Sequence, residues 1–96
     1  MTAYVLAQIS IHDRATYDRY AAGFMPTLKP FDGHLLSADE QPMVLEGSWP
    51  HRKAILIGFP DQESALRWMA SPAYRAISED RLAATTGTAL LLRGVT

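Results

Sequence analysis

Leu45-Glu46-Gly47-Ser48-Trp49-Pro50-His51-Arg52-Lys53-Ala54-Ile55-Leu56-Ile57-Gly58-Phe59-Pro60 is the stretch that decides the fold. Gly47, Ser48 and Pro50 punctuate its first half, so a tight loop is expected there. From Ala54 to Phe59 the chain is apolar throughout, the pattern of a strand buried on both faces. Such a strand belongs at the centre of a sheet. Glu46, Trp49, His51 and Arg52 are the densest group of chemically capable side chains in the sequence.

Working outward, the second strand begins at His34–Ala38, is interrupted at Asp39-Glu40-Gln41-Pro42 and resumes at Met43–Glu46. Proline and adjacent charges suit a bulged edge strand, which need not donate every ladder hydrogen bond. Residues 3–11 alternate as a first strand, apolar on both faces. Asp13 is the N-cap of a helix in which Tyr17, Tyr20, Phe24 and Leu28 recur at helical spacing. Pro26 and Pro30 disrupt its far end, and Asp32-Gly33 closes it. Beyond the central strand, Asp61 caps a second helix. Ser71-Pro72 restarts that helix with serine at the N-cap and proline at the first turn. Gly87 is expected to end the helix, with a last strand over Thr88–Arg93.

The order is βαββαβ over residues 1–96, read as one α+β domain. Right-handed crossovers give a ferredoxin-like, four-stranded antiparallel sheet ordered 4-1-3-2, with the helices on one face. Two helices cover one face only, yet strands one, three and four are apolar on both. Leu6, Leu56 and Leu91 are expected to face away from Val5, Ile55 and Leu90. An apolar sheet left bare is not tolerated on a monomer, so a homodimer packed sheet to sheet is expected.

Composition narrows the function classes. The chain has 96 residues, a net charge of −1 and no cysteine. Charge so balanced leaves no electrostatic footprint for nucleic acid or an anionic membrane. Without cysteine there is no disulfide framework, thiolate nucleophile or Cys-ligated metal. The N-terminus carries no basic, apolar leader, so a cytoplasmic location is expected. There is no G-x-S-x-G elbow, phosphate loop or GxGxxG. No motif announces a cofactor, and none is expected. The three histidines show no metal-ligand spacing, so no metal is expected either.

Strand one ends, strand two ends and strand three begins at one edge of the sheet. His12, Glu46, Trp49, His51 and Arg52 should therefore gather at one rim. There Glu46 and Arg52 are the candidate catalytic pair, for a carboxylate and a guanidinium can move a proton or bind a small acid. The same two residues can instead form a simple cross-strand ion pair, with Trp49 covering the edge of the core. Tyr74 and Arg81 lie seven residues apart, two turns along one helix face, and can point into a cleft between helices and sheet. The expected ligand-binding set is Tyr17, Trp49, Arg52, Tyr74 and Arg81. The buried phenols of the tyrosine stripe require hydrogen-bond partners.

The assembled pattern resembles the DUF1330 family along nearly the whole chain. The resemblance rests on Leu45-Glu46-Gly47-Ser48-Trp49 with Arg52, on Phe59-Pro60, on Ala65-Leu66-Arg67-Trp68 and on Ser71-Pro72-Ala73-Tyr74 with Arg81 beyond. Tyr17, Tyr20 and the Asp32-Gly33 turn add to it. It implies a dimeric α+β barrel, a superfamily that also holds cofactor-independent monooxygenases, haem-handling proteins, muconolactone isomerases and YciI-like proteins. Fold alone transfers none of these activities. Two functions are carried forward: binding or transformation of a small, anionic organic molecule between helices and sheet, and a non-catalytic dimeric binding or assembly module.

Overall fold

The central strand takes the place its composition demands. In the computed structural model, which describes residues 1–96, strand β1 spans Ala3–Ile11. Strand β2 spans His34–Asp39, β3 Lys53–Phe59 and β4 Thr85–Arg93. The sheet is antiparallel, in the order β2-β3-β1-β4. Helices α1 (Arg14–Ala22) and α2 (Phe24–Leu28), with a 3-10 turn at Lys29–Phe31, join β1 to β2. Helices α3 (Gln62–Ala70) and α4 (Pro72–Ala84) join β3 to β4. This is the ferredoxin-like α+β arrangement.

Three of the four helix starts have a local side-chain cap. The carboxylate of Asp13 accepts the Thr16 N–H at 3.2 Å, and that of Asp61 accepts the Ser64 N–H at 2.7 Å. The Ser71 hydroxyl accepts the Tyr74 N–H at 3.3 Å. Caps of this kind stabilise by about 1 kcal/mol each. The first helix breaks at Gly23, ahead of the prolines. Pro26 then falls in the first turn of α2, where a missing N–H leaves no bond unmade. Asp32, not Gly33, adopts the left-handed conformation that closes the segment, with φ 53°.

Three expectations are corrected. Met43–Glu46 does not resume β2; residues 40–52 form one irregular loop. The bulge lies between Leu35 and Ser37 instead of at Asp39–Pro42. Helix α4 ends at Ala84, because the Ala84 carbonyl accepts the N–H groups of His12, at 2.9 Å, and Asp13, at 3.3 Å. That bond ties the helix end to the end of β1, and β4 starts at once. Gly87 therefore sits within β4 opposite Ile9.

Register assigns the faces. Val5 pairs with Ile57 on one side and Leu91 on the other, while Leu6 pairs with Leu56 and Leu90. Leu91 thus turns toward the helices. Leu90 and Leu92 turn away and are 47% and 38% exposed, which reverses the expected parity of this strand. The helix-facing side holds the core, with Trp68, Phe59, Ile9 and Leu28 almost wholly buried.

Gly87 has φ +154°, and a Cβ there would lie 2.1 Å from the Gln8 carbonyl oxygen. Gly87→Ala is expected to destabilise the protein by at least about 1–3 kcal/mol in urea titration, because backbone must move in the central strand.

Candidate functional site

The sheet divides the expected site residues into two groups. Tyr17, Tyr74 and Arg81 lie on the helix side. Trp49 and Glu46 belong to the 40–52 loop, which folds across the opposite face.

On that outer face the Trp49 indole donates to the Gln8 side-chain oxygen at 2.7 Å, and His51 Nδ1 lies 3.4 Å from Ser10 Oγ. The Trp49 and His51 rings meet edge to face, centroids 6.0 Å apart. The backbone N–H of Arg52 donates to the Ile9 carbonyl at 2.9 Å, which fixes where the loop rejoins the sheet. The side chains of Glu46 and Arg52 are exposed and neither takes part in an ion pair. The expected Glu46–Arg52 pair does not form, because the loop carries Glu46 over Leu6 and Gln8 instead of laying it opposite Arg52 in a hairpin.

On the helix side a polar chain crosses an otherwise apolar layer. The Arg81 Nε–H donates to the Tyr74 hydroxyl at 3.2 Å, and the Tyr74 and Tyr20 hydroxyls are 3.1 Å apart. Tyr20 and Tyr74 are 4% and 3% exposed. Burial pushes the Tyr20 phenol far above the ordinary tyrosine range, with the neighbouring Tyr74 adding to the shift. It stays protonated at any physiological pH. The seven-residue spacing of Tyr74 and Arg81 thus delivers the contact it implied.

Hydrogens and acceptors do not balance in this chain. A guanidinium only donates, so the Tyr74 oxygen accepts from Arg81. Either Tyr74 then donates to Tyr20 and the Tyr20 hydrogen is left over, or Tyr20 donates to Tyr74 and the Tyr74 hydrogen is left over. Every buried polar side-chain atom has a partner, and one phenolic hydrogen is not used among these three residues. Beside these groups lies a void of about 20 Å³, lined also by Val5, Met69 and Ala89. One water needs about 10–15 Å³.

Two larger crevices adjoin this void. One, of about 130 Å³, opens between α3 and β4 and shares Val5, Met69 and Ala89 with it. The other, of about 120 Å³, opens between α1 and the β2–β3 pair and shares Tyr20, Phe24 and Ile55. Lys53 is the one charged residue lining the second crevice, and its amine sits 4.9 Å from the centre of the Tyr17 ring. Tyr20 and Lys53 escaped the sequence-based set. The phenol of Tyr20 was the available signal, since a buried hydroxyl in a helical stripe requires a partner.

The sheet order and the two helical crossovers define a ferredoxin-like α+β protein. The chain belongs to the DUF1330 family, a domain of unknown function whose model matches residues 2–95. The fold is similar to that of RPA0582, a protein of unknown function from Rhodopseudomonas palustris. That match has a TM-score of 0.82 at 14% identity and covers 99% of this chain and 83% of that one. SnoaB, a cofactor-independent oxygenase from Streptomyces nogalater, matches with a TM-score of 0.68 at 11% identity, covering 99% and 94%. A dimeric protein of unknown function and ferredoxin-like fold from Bacteroides fragilis matches with a TM-score of 0.66 at 7% identity, covering 97% and 96%. At such identities the likeness shows the fold alone. No curated protein matches the chain.

Tyr74→Phe removes both bonds of the polar chain and strands the Arg81 donor, whereas Tyr20→Phe removes one. Chemical denaturation is expected to show a loss of about 1–3 kcal/mol for Tyr74→Phe and about 1 kcal/mol for Tyr20→Phe.

Proposed function

We propose that the protein binds a small organic molecule carrying an anionic or strongly accepting oxygen, in the layer between the helices and the sheet. Tyr20, Tyr74 and Arg81 receive that oxygen. The spare phenolic donor beside the Arg81 guanidinium carries this proposal, because Tyr20 and Tyr74 share one hydrogen bond and leave one O–H free for an incoming oxygen. The ligand's apolar body lies in the adjoining α3–β4 crevice. Met69, 37% exposed, stands between that crevice and the void, and its unbranched side chain can swing aside. Two neutral phenols and a cation are donors, not bases. Chemistry that builds negative charge on the bound oxygen is what such a site favours.

A thermal-shift panel of small keto, hydroxy and aromatic acids tests this. A ligand at 100 times its Kd stabilises by about 2.7 kcal/mol, which raises Tm by roughly 10–20 °C in a chain of this size. Tyr74→Phe and Arg81→Met should each abolish most of that shift. A panel without a hit, or hits indifferent to both substitutions, overturns the proposal.

The outer face supports a second reading, a homodimer packed sheet to sheet as a binding or assembly module. Leu6, Leu56, Leu90 and Leu92 form an apolar band on it that no helix covers. Next to them Met43 and Leu45 are 83% and 85% exposed. Glu46, Trp49 and Arg52 then serve at the rim of the interface. Sedimentation velocity at micromolar concentration should give a dimer, and Leu90→Lys a monomer. A monomeric parent protein refutes this reading and leaves the ligand proposal standing.

A further inference from the structure

The α1–β2–β3 crevice shares the Tyr20 ring with the polar chain but has its own charged group. Tyr20, Phe24, Met25, Leu35 and Ile55 make its walls apolar, and Lys53 supplies its charge. The Lys53 side chain is only 13% exposed, so its ammonium is partly stripped of water and held by the Tyr17 ring. A second cation stands beside it, for the Arg14 guanidinium lies 5.8 Å from the centre of the same ring.

A carboxylate of the protein's own already occupies the space between these cations. Glu40, on the loop after β2, accepts two hydrogen bonds from Arg14, at 2.6 and 2.9 Å. Its Oε2 also lies 3.9 Å from the Lys53 amine. The pair with Arg14 holds the Glu40 carboxyl below the usual range. Asp18 makes a further contact with Arg14 at 3.2 Å. The Glu40 side chain is 45% exposed, and its partners are the two cations. A solvent-facing carboxylate is thus seated on two cations at the head of an apolar crevice.

We infer that Arg14 and Lys53 form a carboxylate-binding site at the head of this crevice, that its ligand is a compact apolar monocarboxylate, and that Glu40 is its built-in competitor. A cavity of about 150 Å³ admits benzene, so one of about 120 Å³, open at its head, matches a single ring or a short branched chain. The ligand's carboxylate replaces Glu40 on Arg14 and Lys53 while its body enters among Phe24, Leu35 and Ile55. Glu40 turns to solvent. This inference does not depend on the Tyr20–Tyr74–Arg81 proposal.

Benzoate and its neutral counterpart benzyl alcohol, titrated by heteronuclear NMR, provide the test. Glu40→Gln should bind benzoate about tenfold more tightly than the parent protein, with shifts at Tyr17, Met25 and Ala38. The double variant Glu40→Gln/Lys53→Met should lose that gain, and benzyl alcohol should not respond to either change. Tyr74→Phe should leave benzoate binding as it was. Glu40 and Lys53 sit at the surface end of the crevice, so their variants are expected to fold, which the NMR spectra report directly. Saturable benzoate binding that is equal in the parent and in Glu40→Gln overturns the competitor, and binding that survives loss of Lys53 overturns the site. Absence of any benzoate binding to Glu40→Gln overturns both.

Discussion

The hydrogen bond from the Trp68 indole to the Thr27 hydroxyl, 3.0 Å long, joins the two helical crossovers. An indole N–H is costly to bury without an acceptor, and Trp68 is 1% exposed. Thr27 meets that need because its own hydrogen is already given to the Phe24 carbonyl at 2.7 Å, which leaves its oxygen free to accept. Around this bond the Trp68 ring meets Tyr74 at 4.1 Å, Phe59 at 5.4 Å and Phe24 at 6.0 Å between centroids. Helices α2, α3 and α4 and strand β3 are all positioned by one side chain. The Tyr74 hydroxyl, and through it the polar chain to Tyr20 and Arg81, takes its direction from the same packing.

The sheet meets two unlike environments. Its inner face is sealed by aromatic and aliphatic packing that leaves only small voids, so a ligand there must exploit the seams between elements. Its outer face combines an apolar band with a loop that reaches back over it and is pinned by Trp49 on Gln8. One face thus offers buried donors, the other offers surface. This division is why the two proposed roles do not compete for the same residues.

How much of this could be read in the sequence follows from the range of each interaction. Asp13, Asp61 and Ser71 were legible because a cap acts within three residues. Strands β1 and β3 are legible because apolar residues on both faces write themselves into nearly every position. Gly87 is ambiguous in sequence, since a glycine after a helix looks the same whether it ends the helix or lets a strand approach its neighbour. Met43–Glu46 reads as strand because three apolar residues in a row satisfy the pattern, while the loop's path is decided by contacts with Gln8 and Ile9 far away in the chain. The site divides in the same way. Tyr74 and Arg81 share a helix, so their meeting could be inferred from spacing. Arg14, Glu40 and Lys53 come from three separate elements and have no local signal.

The doubly bonded Ala84 carbonyl has a mechanical consequence. It accepts from His12 and Asp13, so the exit of the last helix is riveted to the entry of the first. The Asp13 N-cap and the start of β4 therefore cannot fray independently. Opening the C-terminal end of α4 pulls on the start of α1, whose residues Tyr17 and Tyr20 line the seams where a ligand would enter. Exchange of the His12 and Asp13 amides with solvent should accordingly follow the slow, cooperative opening of the whole helical layer, not the rapid breathing usual at a strand end.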